Sequence, residues 1–196
     1  MANCIIFAGV NGAGKTTLYK TMILKDDLGK RINTDEIVME IGDWRNNQDQ
    51  MRAGRIALNM RKECVDKMIS FNQETTLTGK RILKAIEEIK EKGYTIYLYY
   101  IGLNSPEIAK ERIKNRVLNG GHDIPEEVVE KRYYETLENL KKVVPLADYV
   151  RIYDNSKNYK LCYYKNKTWD IVLYQDLPKW LAVSYTHLTL PTNSRV

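Results

Sequence analysis

Apolar positions along this chain change period repeatedly. Residues 3–8 are apolar from Cys4 to Ala8, a short run that predicts a strand. Residues 16–24 predict a helix with Leu18, Met22 and Ile23 inward. A short strand is expected at 31–33 and a helical turn at 37–41. From 50 to 69, apolar residues recur at Ala53, Ile56, Ala57, Met60, Cys64 and Met68, which is helical spacing. Residues 71–74 form a brief strand. Gly79 opens a helix with Ile82, Leu83, Ile86 and Ile89 inward, and Gly93 closes it. The run YTIYLYYI at 94–101 is too short for a buried helix and fits a central parallel strand covered on both faces.

The second half continues the alternation. Ser105 as N-cap and Pro106 at the first position start a helix that stops at Gly120-Gly121. A further helix over 126–143 carries Val129, Tyr133, Leu137 and Leu140 on one face. A strand is expected at 149–153, and two more within 160–174 around the polar turn Lys165-Asn166-Lys167. Strands alternating with helices predict an α/β fold with a mainly parallel sheet and right-handed crossovers.

Composition narrows the class. The chain has 196 residues, 43% of them hydrophobic and 29% charged, which suits one globular domain. No run reaches membrane-spanning length and no cleavable leader pattern is visible, so we expect a cytoplasmic protein without membrane contact. Cys4, Cys64 and Cys162 are widely spaced and form no C-x-x-C pair, which argues against disulfides and zinc. The formal charge of +6 suits either a nucleic-acid surface or a basic pocket for phosphorylated small molecules. Lysines and arginines are spread without a basic stripe, so a nucleic-acid partner is not expected. At the far end, Val183-Ser184-Tyr185-Thr186-His187-Leu188 can be encoded by GTC TCT TAT ACA CAT CTG, which resembles a transposase-end adapter. We therefore expect residues 1–182 to form the domain and 183–196 to be a non-native tail, which removes His187 from consideration.

The chemistry begins at the first strand's end. Gly9-Val10-Asn11-Gly12-Ala13-Gly14-Lys15-Thr16-Thr17 matches G-x-x-x-x-G-K-[ST], the P-loop, between a strand pattern and a helix pattern. The glycines let several backbone N–H groups face one hollow, and the helix dipole adds positive potential there. Lys15 is expected to reach the β- and γ-phosphates of ATP, and the Thr16 hydroxyl to hold Mg²⁺. A GTPase is disfavoured. Asp26-Asp27-Leu28-Gly29 follows a helix and comes too early, and Asn166-Lys167-Thr168-Trp169 lacks the guanine-reading aspartate.

A kinase needs a carboxylate to take the acceptor's proton. Asp35, beyond a strand end in Asn33-Thr34-Asp35, is the candidate base; a capping or turn role fits it equally. Glu74, with Thr75 and Thr76, ends another strand, and could bind an acceptor or a metal-bound water. Arg112 and Arg116 share one helix face, and Arg132 lies past the glycine hinge, so the segment 105–132 could close as a lid. For Arg112 a solvated pairing with Glu107 or Glu111 fits as well. His122 reads as a hinge-fixing residue, and Asp154-Asn155-Ser156 as an Asx turn or a nucleotide-side lining.

In order, A-G-x-N-G-A-G-K-T-T, I-N-x-D-E-I, E-T-T-L-T-G, E-R-I-K-N-R-V-x-x-G-G-H-D-I-P, R-Y and Y-D-N-S resemble the zeta-toxin-like P-loop kinases. The resemblance spans about residues 1–156. It implies a three-layer P-loop NTPase sandwich with a helical lid, and ATP-dependent transfer of phosphate to the 3′-hydroxyl of UDP-N-acetylglucosamine. It puts the catalytic residues on Lys15, Asp35, Arg116 and Arg132, with Arg112 as a further nucleotide contact. Glu74 and Thr75 fall on the acceptor side, and an antitoxin partner is implied. The compact G-G-H-D-I-P hinge departs from the longer sugar-binding region of the true toxins. A polynucleotide or nucleoside 5′-hydroxyl kinase, and a non-catalytic ATP-binding regulatory module, remain the alternatives.

Overall fold

The structure, a computed structural model, describes residues 1–168, 170–172 and 177–185. Its first strand, β1 (Asn3–Ala8), is buried from Cys4 to Ala8 because it lies mid-sheet. It leads through the glycine-rich turn into α1 (Lys15–Met22). Next come β2 (Lys30–Ile32), α2 (Thr34–Ile41), α3 (Asn47–Asp66) and β3 (Phe71–Thr75). The chain then crosses through α4 (Lys80–Glu91) to β4 (Thr95–Gly102), the aromatic run, whose residues are buried on both faces apart from Tyr97. Helices α5 (Pro106–Leu118) and α6 (Glu126–Val143) precede β5 (Tyr149–Asp154). A hairpin of β6 (Lys160–Lys165) and β7 (Asp170–Val172) and the helix α7 (Lys179–Tyr185) complete the described chain.

The strands form one sheet in the order β2-β3-β1-β4-β5-β6-β7. Pairing is parallel from β2 to β5 and antiparallel for β6 and β7. The expected α/β fold with a mainly parallel sheet is therefore present. The order also locates the chemistry. From β1 the chain moves one way to β3 and β2, and the other way to β4. The carboxyl end of β1 is thus a switch point, where open α/β sheets form their ligand crevice. The main core unites Ile6, Phe71, Ile96, Leu98, Tyr100 and Ile152 from the sheet with Ile86, Leu140 and Val143 from the helices.

Three local expectations change. Residues 34–41 form a full helix rather than a turn, because the Asn33 side chain caps it by accepting from the Asp35 N–H at 3.0 Å. Met68 does not belong to the inward face of α3. The helix ends at Asp66, Met68 takes a positive φ of 52°, and its side chain is exposed as the chain turns towards β3. Ile23 likewise follows the end of α1 and is exposed. The two strands expected within 160–174 form as β6 and β7, and residues 173–174 lie outside the described residues. So does the expected tail, His187 included, except that residues 183–185 fall within α7. Among the described residues, no helix is long and apolar enough to cross a membrane.

Candidate functional site

The switch point opens into a cavity of about 560 Å³. Its floor is the P-loop. Gly9 and Gly14 hold positive φ angles of 139° and 107°, and Gly9 lies so close to the Ile101 carbonyl that a Cβ would collide with it. Gly14 is the N-cap of α1 and offers no side chain to its first turn, which also lacks an acidic residue. The positive end of the helix is therefore left open to an anion. Asn155 braces this loop by donating to the Ala13 carbonyl at 2.8 Å, and the Tyr159 hydroxyl donates to the Gly14 carbonyl. Ser156 also closes an Asx turn on Asp154 at 3.1 Å, so Asp154-Asn155-Ser156 serves both as a turn and as a P-loop brace.

Lys15 Nζ donates to the carbonyls of Gly9 and Val10 at 2.9 and 3.1 Å. Burial lowers its pKa to about 8, against the opposing pull of Glu74 and Asp35. Thr16 Oγ1 donates to Glu74 Oε2 at 3.0 Å. Glu74 itself is held from its other oxygen by Arg31, and its side chain is only 9% exposed. Sequence reasoning missed Arg31. This guanidinium donates to both oxygens of Glu36 at 3.1 and 2.8 Å, to Glu74, and to Asn72 Oδ1 at 3.0 Å. It also stacks over the Tyr19 ring, 3.5 Å from its centroid. Arg31 thus ties the end of β3 to α2. The available signal was an arginine within a short strand of the sheet, where a partly buried charge needs a partner.

Asp35 lines the cavity from the first turn of α2. Since Asn33 is the cap, the Asp35 carboxylate is not consumed by capping. Thr75 lines the cavity too, but its hydroxyl accepts from the Leu77 N–H at 2.9 Å and so also shapes the turn after β3.

Three arginines overhang the P-loop. Arg132 donates to Asn11 Oδ1 at 2.9 Å, joining α6 to the loop's tip. Arg112 donates to the carbonyls of Asn155 and Ser156 at 2.8 and 3.4 Å, not to Glu107 or Glu111, which corrects the solvated pairing. Arg116 donates to the His122 carbonyl at 2.7 Å, and its buried Nε has no partner among the described residues. Helices α5 and α6 are cross-linked by Lys110–Glu130 and Lys114–Glu126 pairs at 2.6 and 2.8 Å. The site thus brings together Lys15, Thr16, Asp35, Glu74, Arg116 and Arg132, from five separate elements of the chain.

A second cavity of about 300 Å³ adjoins the first and shares Asp35, Gln50, Arg116 and His122 with it. Its other walls include Val38, Met39 and Trp44, whose ring lies 5.2 Å from that of His122. Burial lowers the His122 pKa, and the Arg116 and Arg132 charges add to this against Asp35, which favours the neutral imidazole.

Comparison with known proteins points to a family and to the fold. The zeta toxin family model matches residues 3–168. A Haemophilus influenzae protein without an assigned function is 37% identical over 129 residues, covering 66% of this chain and 91% of that protein. A structure from the PezAT chromosomal toxin–antitoxin system of Streptococcus pneumoniae aligns with a TM-score of 0.63 at 18% identity, covering 96% of this chain and 86% of that one. The complex of AvrRxo1-ORF1 and ORF2 with ATP aligns with a TM-score of 0.72 at 14% identity, covering 100% of this chain and 66% of that one. At these identities, the structural likenesses establish the fold.

Proposed function

We propose that this chain, which belongs to the zeta toxin family, is an ATP- and Mg²⁺-dependent kinase that phosphorylates a hydroxyl group. The observation that carries this reading is the pair of joined cavities. One has a phosphate cradle as its floor, and both are bordered by Asp35. A nucleotide-hydrolysing module needs only the first.

In this reading the P-loop amides and Lys15 bind the β- and γ-phosphates. The Asp35 carboxylate takes the acceptor's hydroxyl proton as its oxygen bonds to the γ-phosphorus. The bond from that phosphorus to the β–γ bridging oxygen breaks, and ADP departs. The transition state is loose, so most of the catalysis is positioning and charge neutralisation. Lys15, Arg116 and Arg132 supply three positive charges around the transferred group, and Arg112 steadies the nucleotide side. Arg132, tied to Asn11, would close the segment 105–132 as a lid when the triphosphate arrives. Thr16 Oγ1 and Glu74 Oε2 are adjacent hard oxygen donors beside the cradle, a donor set that suits Mg²⁺. Those two residues would hold the ion with ATP's own oxygens, and it would add charge neutralisation at the phosphates. Thr75 would line the acceptor's path beside Glu74.

UDP-N-acetylglucosamine, the acceptor that the family resemblance implies, belongs first in any screen. The PezAT structure comes from a toxin–antitoxin system and AvrRxo1-ORF1 is seen with its ORF2, which supports seeking an antitoxin partner for this chain as well. Three buried, unpaired cysteines fit the reducing cytoplasm, where ATP is available. The test is transfer of label from γ-labelled ATP with Mg²⁺ to UDP-sugars, free sugars, nucleosides and a 5′-hydroxyl oligonucleotide. Transfer to a small hydroxyl compound supports the reading. ATP binding with no transfer to any of them overturns it in favour of a regulatory module.

A further inference from the structure

The three arginines above the P-loop are not held alike. Arg132 bonds Asn11 and Arg112 bonds the carbonyls of Asn155 and Ser156, all close to the phosphate cradle. Arg116 instead donates to the His122 carbonyl at 2.7 Å, in the turn that follows its own helix, and its buried Nε has no partner among the described residues. Gly121 lies so near the Arg116 stem that a Cβ there would sit 2.5 Å from Arg116 Cγ, so turn and side chain move together. The turn is soft by composition. Gly120 is exposed with a φ of 82°, and paired glycines lose much freedom when ordered. Support comes from the opposite wall, where the Trp44 ring meets the His122 ring at 5.2 Å between centroids. Trp44 is itself well fixed. The Asn46 N–H donates to the Asp43 carbonyl at 2.9 Å, closing a turn, and Asn46 then caps α3. The Gln50 amide donates to the Trp44 carbonyl at 2.6 Å, and the Arg45 guanidinium lies 4.9 Å from the indole centroid. The side chain packs on the buried cluster of Ile37, Val38 and Ala53.

We infer that Trp44 is a positioning residue for phosphoryl transfer: its indole holds the His122 ring, and the His122 carbonyl in turn aims the Arg116 guanidinium at the γ-phosphate. This rests on the kinase reading above and deepens it. The line of contacts runs from the wall of the second cavity to the phosphate side without passing through the P-loop. Arg116 borders both cavities, so its charge lies where the acceptor oxygen would meet the phosphoryl group. A charge aimed in advance at that place is effective because nothing has to reorganise as the reaction proceeds. Trp44 therefore serves the reaction through Arg116, from a loop that shares no motif with the P-loop or the lid.

Two measurements on Trp44→Ala test this. Hydrogen exchange read by mass spectrometry, with no acceptor present, reports on the turn. The Gly120 and Gly121 N–H groups bond the Val117 and Arg116 carbonyls at 2.9 Å each. They should exchange about three- to ten-fold faster, the loss expected for one aromatic pair, while amides in the middle of α5 keep their rates. Transfer from γ-labelled ATP is then measured with the acceptor that the screen yields, UDP-N-acetylglucosamine first. Because misplacing a catalytic group by about 1 Å costs up to roughly 10² in rate, kcat should fall by about 10–10², with KM for ATP near its native value. Trp44→Phe keeps a ring and should retain most of the activity. In an Arg116→Ala background, Trp44→Ala should cost less than about two-fold further, because the group it aims is gone. If Trp44→Ala fails to fold, His122→Ala breaks the same ring contact, keeps the carbonyl and is held to the same outcomes. Unchanged exchange in the turn overturns the inference. So does a full loss of kcat that persists in the Arg116→Ala background, which would mean that Trp44 acts on the acceptor directly. Unchanged transfer by Trp44→Ala overturns the inference and leaves the kinase reading standing, whereas no transfer by the native chain overturns both.

Discussion

Replacing Arg31 with methionine removes a cation that no motif marked. The methionine keeps much of the aliphatic volume but leaves Glu74 without its guanidinium. Glu74's side chain is 9% exposed and Arg31's is 16%, so this is a substantially buried pair, whereas Glu36 at 43% exposure adds less because water screens it. Breaking a buried pair by deleting one partner costs about 3–5 kcal/mol, because the remaining charge stays desolvated. In a chain of this size each kcal/mol lowers Tm by roughly 2–4 °C, so the variant should melt about 6–20 °C lower. Thermal and urea unfolding, followed by circular dichroism, measure the loss. Adding Glu74→Gln to the variant removes the orphaned charge, and should recover part of the loss even though it deletes another charged side chain. A loss below about 1 kcal/mol, or a double variant less stable than Arg31→Met alone, would refute the claim that Arg31 compensates Glu74.

Other outcomes follow from the same geometry. Lys15 in the free protein titrates at about 8, and bound phosphates favour its charged form, so ATP binding at pH 8 should take up roughly half a proton. Calorimetry in buffers of different ionisation enthalpy reads that uptake, and ATP affinity should fall as pH rises above 8. Gly14→Ala forces a side chain into a φ of 107° and sets its Cβ 2.7 Å from Asn155 Nδ2. It should cost roughly 1–3 kcal/mol of stability and weaken ATP binding, as read by urea unfolding and titration. Arg132→Ala loses its bond to Asn11 and one charge over the γ-phosphate, and should lower kcat by about 10²–10³ with a smaller change in ATP affinity. Below the ordinary glutamate range, Glu36 should lose its stabilising role. Burial alone would raise its pKa, but the Arg31 hydrogen bonds and charge hold it below the ordinary value, so stability is present above roughly pH 4.3 and declines as pH falls further.

Much of this fold was legible because its elements are local. The P-loop is a contiguous string, the aromatic strand is a continuous run, and the lid helices are bounded by Ser105-Pro106 and Gly120-Gly121. The parts that stayed hidden depend on contacts between distant residues. Arg31 finds Asn72 and Glu74 more than forty positions away, and only the parallel pairing of β2 with β3 puts them side by side. Arg112 turned from an exposed helix residue into a clasp on Asn155 because β5 ends beside the P-loop, which no helical periodicity encodes. Trp44 carries no motif, and its relation to His122 exists only once α2 and the α5–α6 hinge approach each other. Asp35 fitted both a cap and a base in the sequence. The Asn33 cap resolves the first of these, leaving the carboxylate free in the cavity.

The central claim is that the two cavities are the donor and acceptor halves of one reaction. The most direct measurement is phosphoryl transfer from γ-labelled ATP across the acceptor screen, run in parallel with Asp35→Asn. The account predicts labelled product from the native chain. In the variant it predicts a fall of about 10²–10⁴ in kcat, with ATP bound about as tightly as before. Equal transfer by Asp35→Asn, or none by the native chain despite bound ATP, would contradict it.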